Sequence, residues 1–189
     1  MDQLDKKTDH EIIALSLKKS DYFAILIKRY EQKFFRYISR LCTCSQEDVE
    51  DLLQEIFIKI YRNLNDFDTK LKFSSWAYRI AHNEVISHHR KMMARPQSVN
   101  LEPDLAISDK IKDDLAAFLD RDLNKDKILT ILELLDIKYK EILILRFFEE
   151  KSYEEISDIL RKPPGTVATL LNRAKKQFKE KSNKLKIEF

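Results

Sequence analysis

Arg79, Asn83, Ile86 and Arg90 recur at intervals of four, three and four residues, so a helix carries two guanidinium groups and an amide along one face. Trp76 flanks that face, and His89 and Lys91 close its far end. Arginines placed this way hold a phosphate backbone while an amide and an aromatic ring meet exposed bases. Taken alone, the stretch reads better as the solvated face of a helical bundle. Other chemistries are poorly served. Cys42 and Cys44 are spaced C-x-C, with no second pair to complete a zinc site, and a bridge at that spacing is strained, so free thiols are the expectation. His82, His88 and His89 fit no metal-ligand spacing and read as surface or nucleic-acid-facing residues. Neighbouring acids such as Asp113–Asp114 and Glu154–Glu155 point apart on a helix, and no nucleophile converges with a base. Neither catalysis nor a metal or cofactor is expected. The single glycine, Gly165, excludes glycine-rich phosphate loops and with them most ATPase, GTPase and NAD-enzyme classes.

The elements that must position these residues are helices. One glycine and four prolines in 189 residues, with many Leu, Ile, Lys and Glu, predict an all-α chain, and 43% hydrophobic residues suffice for one core or two small ones. Thr8 and Glu11 form a capping box ahead of a first helix over about 9–19. A second helix over about 21–41 repeats Phe23, Ile27, Tyr30, Phe34 and Ile38. Ser45 and Asp48 open a third, whose buried face is Val49, Leu52, Leu53, Ile56, Phe57 and Ile60. Its other face carries Asp48, Asp51, Gln54 and Glu55 leading to an outward Ile58, the polar rim and apolar centre of a partner interface. A loop with Asn65 and Phe67, placed where a base could be captured, leads to the fourth helix and its buried stripe of Phe73, Trp76, Ala77, Ile80 and Ala81.

Net charge is only +3, but its distribution is uneven. Residues 96–126 are acidic, from Glu102 and Asp104 through Asp113 and Asp114 to Asp126, and form a linker. The C-terminal run is basic, and two basic regions with an acidic segment between them point to a two-site nucleic-acid binder. The last third reads as four helices. Ser152 and Glu155 cap one of them, Arg161-Lys162-Pro163 forms a turn, and Pro164-Gly165-Thr166 starts the last, whose stripe is Val167, Leu170, Leu171 and Ala174. That pair is a helix-turn-helix. The N-terminus lacks the apolar core of a signal peptide and no run approaches membrane-spanning length, so a cytoplasmic protein without membrane insertion is expected.

DVEDLLQEIFIKIYRNL followed by WAYRIAHNEVISHHRK resembles the second conserved region of sigma-70 family RNA polymerase sigma factors, and SYEEISDILRKPPGTVATLLNRAKKQF resembles their fourth. With only these two regions and a short linker, the chain is similar to the extracytoplasmic-function type. The resemblance implies a region 2-like helical bundle over 9–95, the acidic linker over 96–126, and a region 4-like helix-turn-helix domain over 127–182. It implies that Asp48, Asp51, Gln54, Glu55 and Ile58 grip the core polymerase. Asn65, Phe67, Trp76, Arg79, Asn83, Arg90 and Lys91 fall where the family opens and reads the minus-ten element. Thr166, Val167, Ala168, Thr169, Asn172, Arg173, Lys175 and Lys176 fall on the helix that reads the minus-thirty-five element in the major groove. Core RNA polymerase, promoter DNA and an anti-sigma factor are the implied partners, and the linker would thread towards the polymerase active site. The chain departs from the family habit where Ala168 and Leu170 replace basic contacts and Arg161 replaces a turn glycine. Two other functions compete: a helix-turn-helix regulator acting without polymerase, and a sigma-like decoy that occupies polymerase or an inhibitor.

Overall fold

A computed structural model describes Leu4 and residues 6–94 and 125–185. The described residues form eight α-helices and two 3-10 turns, with no strand among them. We number the helices α1 (Asp9–Ser16), α2 (Phe23–Leu41), α3 (Gln46–Arg62), α4 (Phe73–Ala94), α5 (Lys125–Glu133), α6 (Ile137–Phe147), α7 (Tyr153–Leu160) and α8 (Pro164–Lys184). The acidic linker lies outside the described residues up to Lys125, where α5 begins.

Local chemistry sets the helix starts. Thr8 with Glu11, Ser45 with Asp48 and Ser152 with Glu155 each form a reciprocal capping box, as their spacing predicts. Pro164 occupies the first turn of α8, where a missing N–H costs nothing. The first helix is shorter than its pattern predicts. Lys19 is extended (φ −149°, ψ 118°), and the 3-10 turn Ser20–Tyr22 then redirects the chain into α2.

In the N-terminal unit, α2, α3 and α4 pack around Phe34, Tyr37, Ile38, Ile56, Ile60, Ala77, Ala81 and Val85, all buried. A set of rings joins them: Phe34 meets Tyr78 edge-on at 5.1 Å, and Phe67 meets Phe73 edge-on at 5.6 Å. Truncating a ring as enclosed as Phe34 costs about 3–5 kcal/mol, a large share of a domain's stability. In the C-terminal unit, α6, α7 and α8 enclose Ile142, Ile144, Ile156, Ile159, Val167, Leu171 and Ala174. The two units are docked, with α6 against α2 and α7 against α4. Helix α4 buries more than its predicted stripe: Ser75, Tyr78 and Val85 are covered as well, Tyr78 with its hydroxyl on Glu149 of the C-terminal unit.

Candidate functional site

Every third or fourth residue along the outer side of α3 faces one groove. Asp48, Asp51, Leu52, Gln54, Glu55 and Ile58 line it, and His88 from α4 completes it. Asp51, Gln54 and Ile58 are exposed, with Ile58 at 43%, while Asp48 and Glu55 are half-buried. Lys59 pairs with Glu84 of α4 and reaches Glu55 at 3.8 Å, which ties the groove wall to the bundle. All five residues expected to meet a partner therefore share one surface. Leu52 and His88 were not among them. Leu52 reads as core from its period, and His88 comes from another helix, so neither has a local signal.

The side of α4 expected to face DNA is divided. Asn83, Arg90 and Lys91 are exposed, as is Asn65 in the preceding turn. Arg79 is half-buried beside the end of α7; burial and the neighbouring Arg161 lower its pKa, opposed by Asp158. Phe67 and Trp76 correct the expectation of base-facing rings. They are buried, their ring centroids 5.3 Å apart at a tilted angle, and both meet Phe73, so the rings are spent on the aromatic core.

Two carboxylates of the C-terminal unit are sunk into the N-terminal one. Glu141 is 3% exposed; it accepts the Tyr37 hydroxyl at 2.7 Å and meets His82 Nδ1. Glu149 accepts from Tyr78 at 2.6 Å and from Arg40 at 2.9 Å. Burial, then the adjacent carboxylates, raise the Tyr37 and Tyr78 phenols well above their ordinary value. Burial lowers Arg40, opposed by the attraction of Glu149. Arg40 also lies over Phe148 at 4.7 Å, Lys151 lies over Tyr78 at 4.4 Å, and Lys72 reaches Glu155 at 3.3 Å. His82 is thereby corrected from a surface residue to an interdomain one. Its partner is 59 residues away, out of reach of any local pattern.

On α8, Thr166, Thr169, Asn172, Arg173, Lys175 and Lys176 are exposed and Ala168 is half-buried. Val167 is fully buried in the stripe with Leu171 and Ala174, so it positions the helix and does not face DNA in this structure. Arg161 ends α7 in the left-handed region (φ 51°, ψ 47°), the conformation a turn glycine would otherwise supply.

The expectation of free thiols is also corrected. The sulfurs of Cys42 and Cys44 are bonded to each other, and Cys42 Sγ lies 3.8 Å from His88 Nδ1. No local spacing marks these residues as a ligand set, because the histidine arrives on α4. No helix among the described residues is long and apolar enough to cross a membrane.

Comparison with known proteins converges on one family. Residues 26–95 match the family model for sigma-70 region 2, and residues 125–178 match that for sigma-70 region 4. The chain is 30% identical to the ECF RNA polymerase sigma factor SigW of Bacillus subtilis (strain 168), over 85% of this chain and 88% of that one. It is 30% identical to the ECF RNA polymerase sigma-E factor of Escherichia coli (strain K12), over 94% and 96% respectively. Its fold is similar to that of CnrH solved with the cytosolic domain of CnrY (TM-score 0.67, 20% identity, covering 91% of this chain and 95% of that one). It is also similar to that of RpoE solved with the anti-sigma factor NepR from Bartonella quintana (TM-score 0.64, 20% identity, 88% and 98%). Two matched regions in order, with near-complete coverage of relatives, place the chain in the extracytoplasmic-function group of sigma-70 family RNA polymerase sigma factors, which direct promoter recognition.

Proposed function

We propose that this sigma factor binds core RNA polymerase through the α3 groove, reads and melts the minus-ten element with α4, and reads the minus-thirty-five element with α8. The observation that carries the core-binding assignment is the groove itself. Acidic and amide side chains surround the exposed Ile58, the form of a partner site with an apolar centre and a polar rim. For the minus-ten element, Arg79, Asn83, Arg90 and Lys91 form the reading face together with Asn65. Phe67 and Trp76 support it from beneath, and a flipped base would have to displace them to stack there. Melting costs stacking energy, which basic and polar groups recover by holding the displaced strand. For the minus-thirty-five element, Thr166, Thr169, Asn172, Arg173, Lys175 and Lys176 form the major-groove surface, with Ala168 at its edge.

The domain division goes with this reading: residues 9–95 for core binding and the minus-ten element, 96–126 as an acidic linker inside polymerase, and 127–182 for the minus-thirty-five element. The protein works in the cytoplasm, performs no catalysis of its own and answers to an anti-sigma factor; the similar RpoE was solved with one. The docked arrangement supports a resting state, since α7 lies across α4 beside Arg79. Binding to polymerase then requires the units to part.

The test is promoter-dependent transcription with purified core polymerase, comparing wild type with an Asp51→Ala/Gln54→Ala/Glu55→Ala variant. Discrete transcripts from the wild type, lost in the variant with its helical content intact, are expected. Full activity in the variant overturns the groove assignment. Core binding without any transcript would make the protein a decoy, and DNA binding without core binding would make it an independent regulator.

A further inference from the structure

The chain between α2 and α3 supplies two thiol sulfurs that meet an imidazole from α4, a set that no promoter-reading role uses. Cys42 is extended (φ −95°, ψ 131°), and side chains two apart on an extended chain lie on the same side, so Cys44 follows it with a Cα–Cα separation of 5.4 Å. His88, 46 residues after Cys42, comes in from α4. One ligand atom from each of the three lies within 4.8 Å of the others. Cys42 is buried, while Cys44 and His88 are half-buried, so the cluster is held by the bundle yet open to an ion.

The separations fit a metal. With sulfur at about 2.3 Å and imidazole nitrogen at about 2.0 Å, a tetrahedral zinc ion has S···N edges of roughly 3.6 Å. The Cys42 Sγ to His88 Nδ1 distance is already 3.8 Å. Two thiolates and an imidazole select Zn2+ or Cu+ over Mg2+ and Ca2+, which require oxygen.

We propose that reduced Cys42 and Cys44, with His88 Nδ1, bind a thiophilic ion of the Zn2+ class in a three-ligand site with one open position. The ion and the disulfide exclude each other. A thiol reductant delivers two electrons and two protons to open the S–S bond, and is itself oxidised to its disulfide. Zn2+ then displaces both thiol protons to form two Zn–S bonds. The ion pins the α2–α3 connection to α4 beside Ser45, the cap of α3. His88 also lines the α3 groove, so the site stands at the rim of that groove. Its bearing on polymerase rests on the core-binding assignment; ion uptake does not, and is measured without polymerase.

The experiment uses the full chain, reduced with a phosphine and freed of metal, titrated with Co2+ and then with Zn2+. One equivalent of Co2+ with a thiolate-to-metal charge-transfer band, displaced by Zn2+, is expected. Zn2+ should also raise the thermal midpoint of the reduced wild type. Cys44→Ser should lose the band and the thermal shift, His88→Gln should weaken uptake and alter the ligand-field bands, and His89→Gln, the neighbouring histidine, should match wild type. Circular dichroism identifies any variant that fails to fold, and Cys44→Ser is paired with Cys44→Ala so that one folded cysteine variant remains. Absence of stoichiometric uptake by the reduced wild type overturns the proposal. Uptake unchanged in a folded Cys44 variant, or in His88→Gln, overturns it equally.

Discussion

Arg161 holds a backbone conformation that favours glycine, while the only glycine in the chain does not need its freedom. Arg161 closes α7 at φ 51°, where a Cβ costs about 1–2 kcal/mol relative to glycine in a stabilised turn. Gly165 sits in the first turn of α8 without a positive φ, and a Cβ there would meet nothing within 4 Å. Arg161→Gly is therefore expected to stabilise the protein by up to about 1 kcal/mol, the relief of strain outweighing the added freedom of the unfolded chain. It also removes the like charge beside Arg79. Urea denaturation measures it, and a lower midpoint would show that the guanidinium holds the turn by contacts worth more than the strain. The sequence revealed that the usual turn glycine was missing. It did not reveal that the backbone keeps the left-handed bend anyway.

At the scale of the element, α3 and α8 share a design in which one periodic stripe is buried and the opposite face is polar and exposed. In α8 the stripe Val167, Leu171 and Ala174 presents Thr169, Asn172, Arg173 and Lys176 outward. Ala168 occupies the edge of that outward face, where the family habit has a basic residue. Ala168→Lys is expected to tighten binding to minus-thirty-five duplex and to steepen the plot of log affinity against log salt by about 0.9, one phosphate's worth of released counterions. Binding measured across a salt series by fluorescence anisotropy checks this. An unchanged slope would mean that position 168 does not reach the backbone. Elements of this kind were legible in advance, because the period of burial and the capping boxes at Thr8, Ser45 and Ser152 are written within a few residues of each other.

For the whole molecule, the decisive feature is the docking of the two units through Glu141 and Glu149. Removing a buried carboxylate leaves its partners enclosed and unpaired, a cost of about 3–5 kcal/mol for a broken buried pair. Glu141→Ala/Glu149→Ala strands Tyr37, His82, Tyr78 and Arg40 at the seam. This variant is expected to part the units while each keeps its helices. Small-angle scattering should then give a larger radius of gyration, and the free protein should bind minus-ten single strand more tightly because α7 no longer lies across α4. A compact variant with wild-type strand affinity would show that docking does not gate α4. The seam is also sensitive to alkali. Tyr37 and Tyr78 have folded pKa values raised above the ordinary 10.0, so above pH 10 the unfolded chain releases phenolic protons that the folded chain retains. Their contribution is complete below pH 10 and is lost as pH rises through the folded values. Unfolding midpoints followed from pH 9 to pH 11.5 should fall through the upper part of that range, and less steeply in Tyr37→Phe/Tyr78→Phe.

By itself the sequence determined the helical class, the helix starts, the α3 surface and the helix-turn-helix, because each depends on residues within about four positions of one another. Family membership was legible for the same reason, since both motif sets are continuous stretches. Tertiary structure alone decided the rest. It turned Phe67 inward onto Trp76, where the aromatic core had a better use for the ring than solvent. It brought His82 to Glu141 and His88 to Cys42 across 59 and 46 residues. It also laid α7 of the C-terminal unit against α4. A carboxylate that reads as a solvated charge in sequence becomes a buried anchor only when a distant tyrosine, histidine or arginine replaces its water, and no local pattern encodes that exchange.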